Sequence, residues 1–424
     1  MPRVTSRQLL ENPSVRRYLL STVFAALGIN ILITVLFKQV YDLTRDELDI
    51  GFIGLAQFIP AVLLVLVSGW VADRFDRRRV SALFILGRVA CAVALAVYSS
   101  RTPSSVAPFF VIAFFIGAVD AMLTPARRAI APLLVDPTDL PQVVALWTAA
   151  FTGASIIGPV AGGFLYTQGA TNAYVVAAVL EFLAAVPLLG IVYAREPQRN
   201  TDRPTLSTAL EGLWFVRRTP IVLAAISLDL FAVLFGGAIA LIPAVATERL
   251  GVGDIAYGWL RAAPGIGAAV MAVWLATWPV QRRVGPTLLA VVALFGAGTI
   301  VFGTTRNYAV AFIALVVISA ADMVSMFIRG SLVPLATPDD QLGRVSAVES
   351  VFIGASNELG AFESGVTARM FGLSGAIAFG GIMTLVVAGA FAVFSPTVRN
   401  INTFDDVKPD TESTLRAVGR TASP

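Results

Sequence analysis

The sequence predicts an all-α membrane protein with twelve transmembrane helices in two pseudo-symmetric six-helix bundles. Three observations predict this fold: an apolar composition, an uneven distribution of basic residues and an internal repeat. Hydrophobic residues make up 57% of the 424 residues and charged residues only 14%, and the mean hydropathy is +0.79. A soluble domain needs more charge on its surface. We therefore expect the lipid bilayer to surround most of the chain.

Twelve segments are long and apolar enough to cross about 30 Å of hydrocarbon as helices. They are residues 18–38, 51–72, 79–99, 107–127, 143–166, 172–193, 221–246, 255–278, 286–304, 308–330, 345–368 and 373–395. The predicted organisation is a cytoplasmic N-terminus at 1–17, a first bundle at 18–193, a cytoplasmic linker at 194–220, a second bundle at 221–395 and a disordered cytoplasmic tail at 396–424.

The orientation follows from the basic residues. With the N-terminus placed inside, most of the 31 lysines and arginines fall on the cytoplasmic side of the spans, as the positive-inside rule requires. Arg16 and Arg17 precede the first span without a small-residue cleavage site, so we expect this span to be retained. The prediction is a multi-pass protein of the cell (inner) membrane with both termini in the cytoplasm.

The two halves of the chain repeat one another. Aligning Asp120 with Asp322 also aligns Arg127 with Arg329, and without a gap it pairs Pro132 with Pro334, Gly158 with Gly360 and Gly163 with Gly365. Spans four and five thus correspond to spans ten and eleven. Two parallel repeats of this kind are typical of transporters that work by alternating access about a site near the bilayer midplane.

Several functional classes are excluded by composition. The chain has no histidine and one cysteine, Cys91, so we expect no metal site, no disulfide and no cofactor other than a coupling proton. Lys38 and Lys408 are the only lysines, and neither follows a phosphate-binding glycine pattern, which argues against ATP as an energy source. Basic residues lie in short turns, so no nucleic-acid partner is expected. An enzyme is not predicted, and we expect a monomer.

Two motifs carry a family resemblance. The first is the turn after span two, with Gly69, Asp73, Arg74, Arg77 and Arg78. The second is the small-residue pattern of span five, which favours close helix packing and a proline bend; it consists of Gly153, Gly158, Pro159, Gly162 and Gly163.

With these motifs the chain resembles the major facilitator superfamily, and within it the twelve-span efflux branch of drug/proton antiporters and enterobactin-exporter-like proteins. It departs from the signature of the turn at Asp76, where a second glycine is usual. The resemblance implies that the turn acts as a gate that braces span two against span eleven, and Glu349 is a plausible partner. It also implies that span five acts as a hinge or seal.

Ionisable side chains within spans are functional candidates, because a charge at membrane depth costs about 2.5 kcal/mol or more without a partner. Asp229 lies about 12 Å into span seven at 1.5 Å per residue and is the first choice for a proton-titrating or substrate-binding acid. Arg261 in span eight is its expected partner or an anion anchor, and a purely structural pair is an equal alternative. Glu358 and Asn30 are further candidates for coupling and for substrate hydrogen bonding.

Two acid and arginine pairs repeat between the halves. Asp120 and Arg127 share one face of span four, and Asp322 and Arg329 repeat this arrangement on span ten. Such symmetry favours a structural brace. Arg88 and Glu181, in spans three and six, are expected to form an ion pair with each other.

Together these features predict a proton-coupled exporter of amphipathic small molecules, either drugs or siderophore-like metabolites. The main alternative is an importer or symporter of a small polar metabolite with the same fold. A non-transporting scaffold or receptor is an alternative of another class, but it does not explain the acids within the spans.

Overall fold

The computed structural model describes residues 6–195 and 206–407. Its first eight helices are α1 (Ser6–Glu11), α2 (Pro13–Thr44), α3 (Glu47–Arg74), α4 (Arg77–Ser99), α5 (Ala107–Arg128), α6 (Leu140–Tyr166), α7 (Ala170–Leu189) and α8 (Leu206–Arg218). The others are α9 (Pro220–Phe235), α10 (Ile242–Ala244), α11 (Asp254–Thr277), α12 (Val284–Thr304), α13 (Tyr308–Leu335), α14 (Asp339–Phe394) and α15 (Pro396–Arg399).

The described residues contain eleven helical stretches that are long and apolar enough to cross a membrane. The last of them, α14, combines two spans that meet at Gly372, whose φ of 72° interrupts the helix. Glycine adopts this left-handed conformation without the penalty that a Cβ would bring. Separating α14 at this residue gives twelve spans, so the predicted all-α, twelve-helix membrane fold is confirmed.

The described chain forms two compact units. Among the described residues, the first unit contains 6–195 together with 242–265, and the second contains 206–241 together with 266–407. Each has its own apolar core, which includes Val15, Ile85 and Leu188 in the first unit and Leu228, Leu288 and Ile328 in the second. The segment 242–265, which we call the hairpin, packs within the first unit.

Span seven is not one continuous helix, in contrast to the prediction for 221–246. Helix α9 ends at Phe235 and is followed by a 3-10 turn at Gly237–Leu241, the short α10 and a π-helix at Val245–Arg249. Gly236 packs against the ring of Phe295 so closely that a Cβ has no room. Pro243 also lacks the N–H that a regular helix needs.

The first part of the predicted tail is folded, which corrects the expectation of disorder for 396–407. Helix α15 buries Val398, and Ile401 is also buried. The amide of Gly285 donates a hydrogen bond of 2.9 Å to the carbonyl of Ile401, and Phe404 contacts Phe327 edge to face. These few apolar side chains anchor the segment. The mostly polar composition of the tail gave no sign of this burial. The rest of the predicted tail, from 408 onward, lies outside the described residues.

Candidate functional site

A buried ion pair marks the centre of the second unit. Arg329 Nη2 on α13 lies 2.6 Å from Asp229 Oδ1 on α9, and both side chains are less than a tenth exposed. Ser325, one turn before Arg329, receives a hydrogen bond of 3.3 Å from its Nε. Asp229 therefore pairs with an arginine of its own unit, whereas the expected partner, Arg261, belongs to the first unit.

Two more acids act electrostatically on this pair or are acted on by it. Asp322 and Glu349 both act electrostatically on Asp229, and Arg329 in turn acts on Asp322 and Glu349. Asp229 and Asp322 line the same small cleft. We call Asp229, Asp322, Arg329 and Glu349 the second-unit cluster. It gathers three carboxyl groups around one guanidinium, so it carries excess negative charge unless protons are bound.

The first unit has a cluster with a different charge balance. Arg88 Nε on α4 lies 2.5 Å from Asp120 on α5, and Arg88 Nη1 lies 3.5 Å from Glu181 on α7. Arg127 donates a hydrogen bond of 3.1 Å to the hydroxyl of Thr22 and acts electrostatically on Glu181. We call Arg88, Asp120, Arg127 and Glu181 the first-unit cluster. Two acids balance two arginines in it.

The repeated pairs therefore find partners on other helices in both halves. Asp120 pairs with Arg88, and Arg329 pairs with Asp229, instead of each repeated acid and arginine pairing within its own helix. The second half lacks a counterpart of Arg88, because α12 contains no basic residue, and it has Asp229 in addition. The second half also lacks a counterpart of Glu181 but contains Glu349. The second cluster therefore has one cation fewer and one acid more than the first, which gives it excess acid.

The other coupling and substrate candidates have surroundings of their own within their units. Arg261 is stacked 5.4 Å from the ring of Phe37 in the first unit. Asn30 donates a hydrogen bond of 2.8 Å to the carbonyl of Ala26, one turn earlier in α2. Glu358 is half-buried on α14 in the second unit.

A polar network that the sequence analysis did not identify connects the hairpin to α2. Lys38 Nζ, which is almost fully buried, lies 2.6 Å from Asp42 and 3.4 Å from Asp254. The hydroxyl of Tyr41 donates a hydrogen bond to Glu248. The spacing of four residues between Lys38 and Asp42 was a visible signal for the first pair. The contacts to 248 and 254 join distant parts of the chain, which no local pattern reveals.

The span-five motif packs against both α2 and the hairpin. A Cβ on Gly158 would lie 2.6 Å from that of Asn30, and one on Gly162 would lie 3.3 Å from that of Thr34. On the other side, Gly163 faces Gly258, with 2.8 Å between a Cβ on Gly163 and Gly258 Cα.

The two remaining members of this motif differ from each other. A Cβ on Gly258 would lie 2.7 Å from the carbonyl oxygen of Pro159, so this pair is also in close contact. Gly153 is the exception, because a Cβ there meets no described atom within 4 Å. Four of the five motif residues thus allow helix backbones to approach closely.

The turn after span two is stabilised mainly by its own unit. Asp76 begins α4 by accepting a hydrogen bond from the amide of Arg78, and Arg78 Nη2 lies 2.7 Å from Asp76 Oδ2. The hydrogen bond from the Arg78 side chain lowers the pKa of Asp76 to about 2, although partial burial opposes this shift. Burial, and secondly the charge of Asp76, raises the pKa of Tyr193 to about 12. Asp76 is therefore an N-cap here, which explains why a glycine is not needed.

The remaining residues of the turn have modest contacts. Arg77 donates hydrogen bonds to the carbonyls of Ala72, at 3.3 Å, and Ala129, at 3.4 Å. Arg74 stacks on Trp70 at 5.5 Å, and Asp73 is exposed. A Cβ on Gly69 would meet no described atom within 4 Å. The charged neighbours of Glu349 lie in the second unit.

Known proteins resemble this chain in sequence and in fold. The enterobactin exporter EntS of Escherichia coli O1:K1 / APEC is 24% identical over 414 residues, which cover 94% of this chain and 97% of EntS. The human organic anion transporter MFSD10 (TETRAN) has a similar structure, with a TM-score of 0.63, 16% identity and coverage of 89% of this chain and 99% of the other. A D-xylose-proton symporter has a TM-score of 0.70, 14% identity and coverage of 92% and 99%.

These proteins are named as transporters and not as enzymes. The family to which they point is the one that the two sequence motifs indicated. The structural likenesses support the twelve-helix fold alone, since fold does not define function. The family profile gives the broader assignment, because it matches residues 18–361. The chain belongs to the Major Facilitator Superfamily.

Proposed function

We propose that this protein is a secondary active transporter that exports amphipathic small molecules in exchange for protons. The cargo class includes drug-like compounds and siderophore-like metabolites. A relative that is named an enterobactin exporter and that matches nearly the full chain supports the direction and the cargo class. The observation that carries the proposal is the second-unit cluster.

The cluster has the charge balance of a proton-binding site. Asp229, Asp322 and Glu349 share one cation, Arg329, and Asp229 and Arg329 are almost fully buried. Neighbouring carboxylates in a poorly hydrated site cannot all ionise without a large electrostatic cost, so they share protons. The number of bound protons then depends on the spacing of these groups. A transport cycle that moves α9 relative to α13 changes the spacing of Asp229 and Arg329 and releases or takes up a proton.

The first-unit cluster supports the same reasoning by contrast. Its two acids and two arginines neutralise one another, and Arg88 contacts both Asp120 and Glu181. A neutral cluster of this kind needs no proton to remain buried. We therefore assign the first-unit cluster to stability and the second-unit cluster to coupling.

Cells with and without the protein provide the test of cargo and direction. We expect cells that lack it to retain a metabolite that is otherwise secreted, or to become more sensitive to amphipathic drugs. Inverted membrane vesicles should accumulate the same compound when a proton gradient is imposed. Asp229→Asn should abolish this accumulation, whereas Asp136→Asn should not, because Asp136 is an exposed loop acid paired with Arg195.

The alternative functions predict other outcomes of the same experiment. An importer or proton symporter accumulates its compound in right-side-out vesicles and not in inverted ones; a D-xylose-proton symporter shares the fold. A scaffold or receptor moves no compound in either orientation. Unchanged accumulation by a folded Asp229→Asn variant would remove this residue from the coupling mechanism.

A further inference from the structure

An apolar groove lies where the linker helix α8 meets the start of α9 in the second unit. Its lining includes Leu213, Trp214 and Arg217 from α8, Leu223 and Ile226 from α9, and Phe352 from α14. Leu213 and Leu223 are each 40% exposed, and Trp214 is 56% exposed. The groove therefore presents a mainly apolar surface at the end of a membrane span, where tryptophan is characteristic of the membrane interface.

Helix α8 is fixed in place as the wall of this groove. Arg344 Nη1 lies 3.0 Å from Glu211 Oε2, and a Cβ on Gly212 would lie 2.8 Å from the carbonyl oxygen of Arg344. These contacts attach one face of α8 to α14, so that Trp214 and Arg217 remain on the side of the groove.

The groove has a positive end. Arg217 is exposed and forms no ion pair within the residues that the structure describes. Arg218 stacks on Trp214 at 5.2 Å. The nearby acids are engaged elsewhere: Glu211 pairs with Arg344, and Glu349 is attracted by Arg329. The charge beside the apolar surface is therefore complementary to an anion.

We propose that this groove binds one anionic phospholipid. An acyl chain lies along Leu223, Ile226 and Phe352, and the phosphate accepts hydrogen bonds from Arg217, whose guanidinium matches phosphate geometry. The aromatic ring of Trp214 lies at the level of the headgroup. Basic residues at the ends of membrane helices attract anionic lipids by about 1 kcal/mol each, which corresponds to a preference of about fivefold over a zwitterionic lipid.

Quenching of Trp214 fluorescence tests this site. The full-length protein is reconstituted with brominated phosphatidylglycerol or brominated phosphatidylcholine, and the Trp214 signal is the quenching that disappears in Trp214→Phe. We expect phosphatidylglycerol to quench about fivefold more effectively. Arg217→Gln should make the two lipids equal, whereas Arg399→Gln, which removes an exposed arginine that contacts the carbonyl of Ala392, should leave the preference unchanged.

A salt titration keeps the test valid if Arg217→Gln does not fold. At about 1 M salt the screening length falls to about 3 Å, so the wild-type preference should be greatly reduced. Equal quenching by both lipids at low salt would overturn the proposal, as would a preference that persists in folded Arg217→Gln. Absence of Trp214 quenching by either lipid would show that protein or cargo covers the groove and would also overturn it.

Discussion

Arg329 Nη2 lies 2.6 Å from Asp229 Oδ1, and the two side chains are 6% and 8% exposed. They come from α13 and α9, so their contact depends on how these two helices pack within the second unit. Asp322 and Glu349 add negative charge to the same region. The pair is therefore both a packing contact and the centre of an acid-rich cluster. The coupling that we propose depends on it and hence on the relative position of the two helices.

The contrast between the two clusters gives the first prediction. Glu181→Gln should retain proton-driven transport, because Glu181 belongs to the balanced first-unit cluster. Asp229→Asn should reduce the rate of proton-driven transport at least tenfold. Both variants should still exchange labelled for unlabelled substrate, a reaction that needs no net proton movement. Transport assays in proteoliposomes, with and without a pH gradient, measure the difference. Equal loss in both variants would contradict the separate assignment of the clusters.

The hairpin network gives a prediction about stability. Lys38→Met removes a cation that contacts both Asp42 and Asp254 and should cost about 1–3 kcal/mol. The cost stays below that of a fully buried pair because both carboxyl groups are partly exposed and Asp42 keeps a contact with Arg45. Asp254→Asn should cost less, because Lys38 keeps Asp42. Thermal unfolding in detergent compares the two variants. A larger loss in Asp254→Asn would show that Asp254, rather than Asp42, is the main partner of Lys38.

The glycines of span five give a prediction with an internal control. Gly163→Ala places a Cβ 2.8 Å from Gly258 Cα, so backbones must separate, and overpacking of this kind costs about 1–3 kcal/mol. Gly153→Ala meets no described atom within 4 Å and should be neutral or slightly stabilising, as alanine favours helix. The measurements are the unfolding temperature and the transport rate. Similar effects of both changes would argue against a packing role for Gly163.

The turn after span two gives a prediction about pH. Its N-cap, Asp76, has a pKa of about 2, below the value of about 3.9 for an unfolded chain. The stabilisation from this residue is therefore fully present above about pH 4 and is lost as the pH falls towards 2. Asp76→Ala should lower stability by about 0.5–2 kcal/mol through loss of the cap. The difference between wild type and Asp76→Ala should be constant from about pH 5 to 8, and a difference that shrinks in this range would contradict the assignment.

Much of the fold could be predicted from the sequence because helix length and hydrophobicity are local properties. The twelve spans were visible, as was the repeat that aligns Asp120 with Asp322. The interruption of span seven was not, since the packing around it, such as that of Gly236 against Phe295, is a tertiary contact. The folded part of the tail was missed because the burial of Val398 depends on tertiary packing.

The candidate site was only partly predictable for the same reason. Hydropathy identified Asp229 as an acid within a span. The sequence could not show which arginine pairs with it, because the candidate arginines lie on different helices. The sequence favoured Arg261 by position, and the structure brings Arg329 to Asp229. Symmetry suggested a brace between Asp322 and Arg329, although the second half has an additional acid in span seven that competes for the same cation.

Proton movement during transport tests the central claim most directly. Proteoliposomes are loaded with the exported compound and an internal pH indicator, the membrane potential is clamped, and the compound is allowed to flow outward down its gradient. Exchange with protons through Asp229 predicts that the lumen becomes acidic with wild-type protein and stays constant with Asp229→Asn. Compound efflux from wild-type vesicles without any pH change, or with an alkaline lumen, would contradict the account.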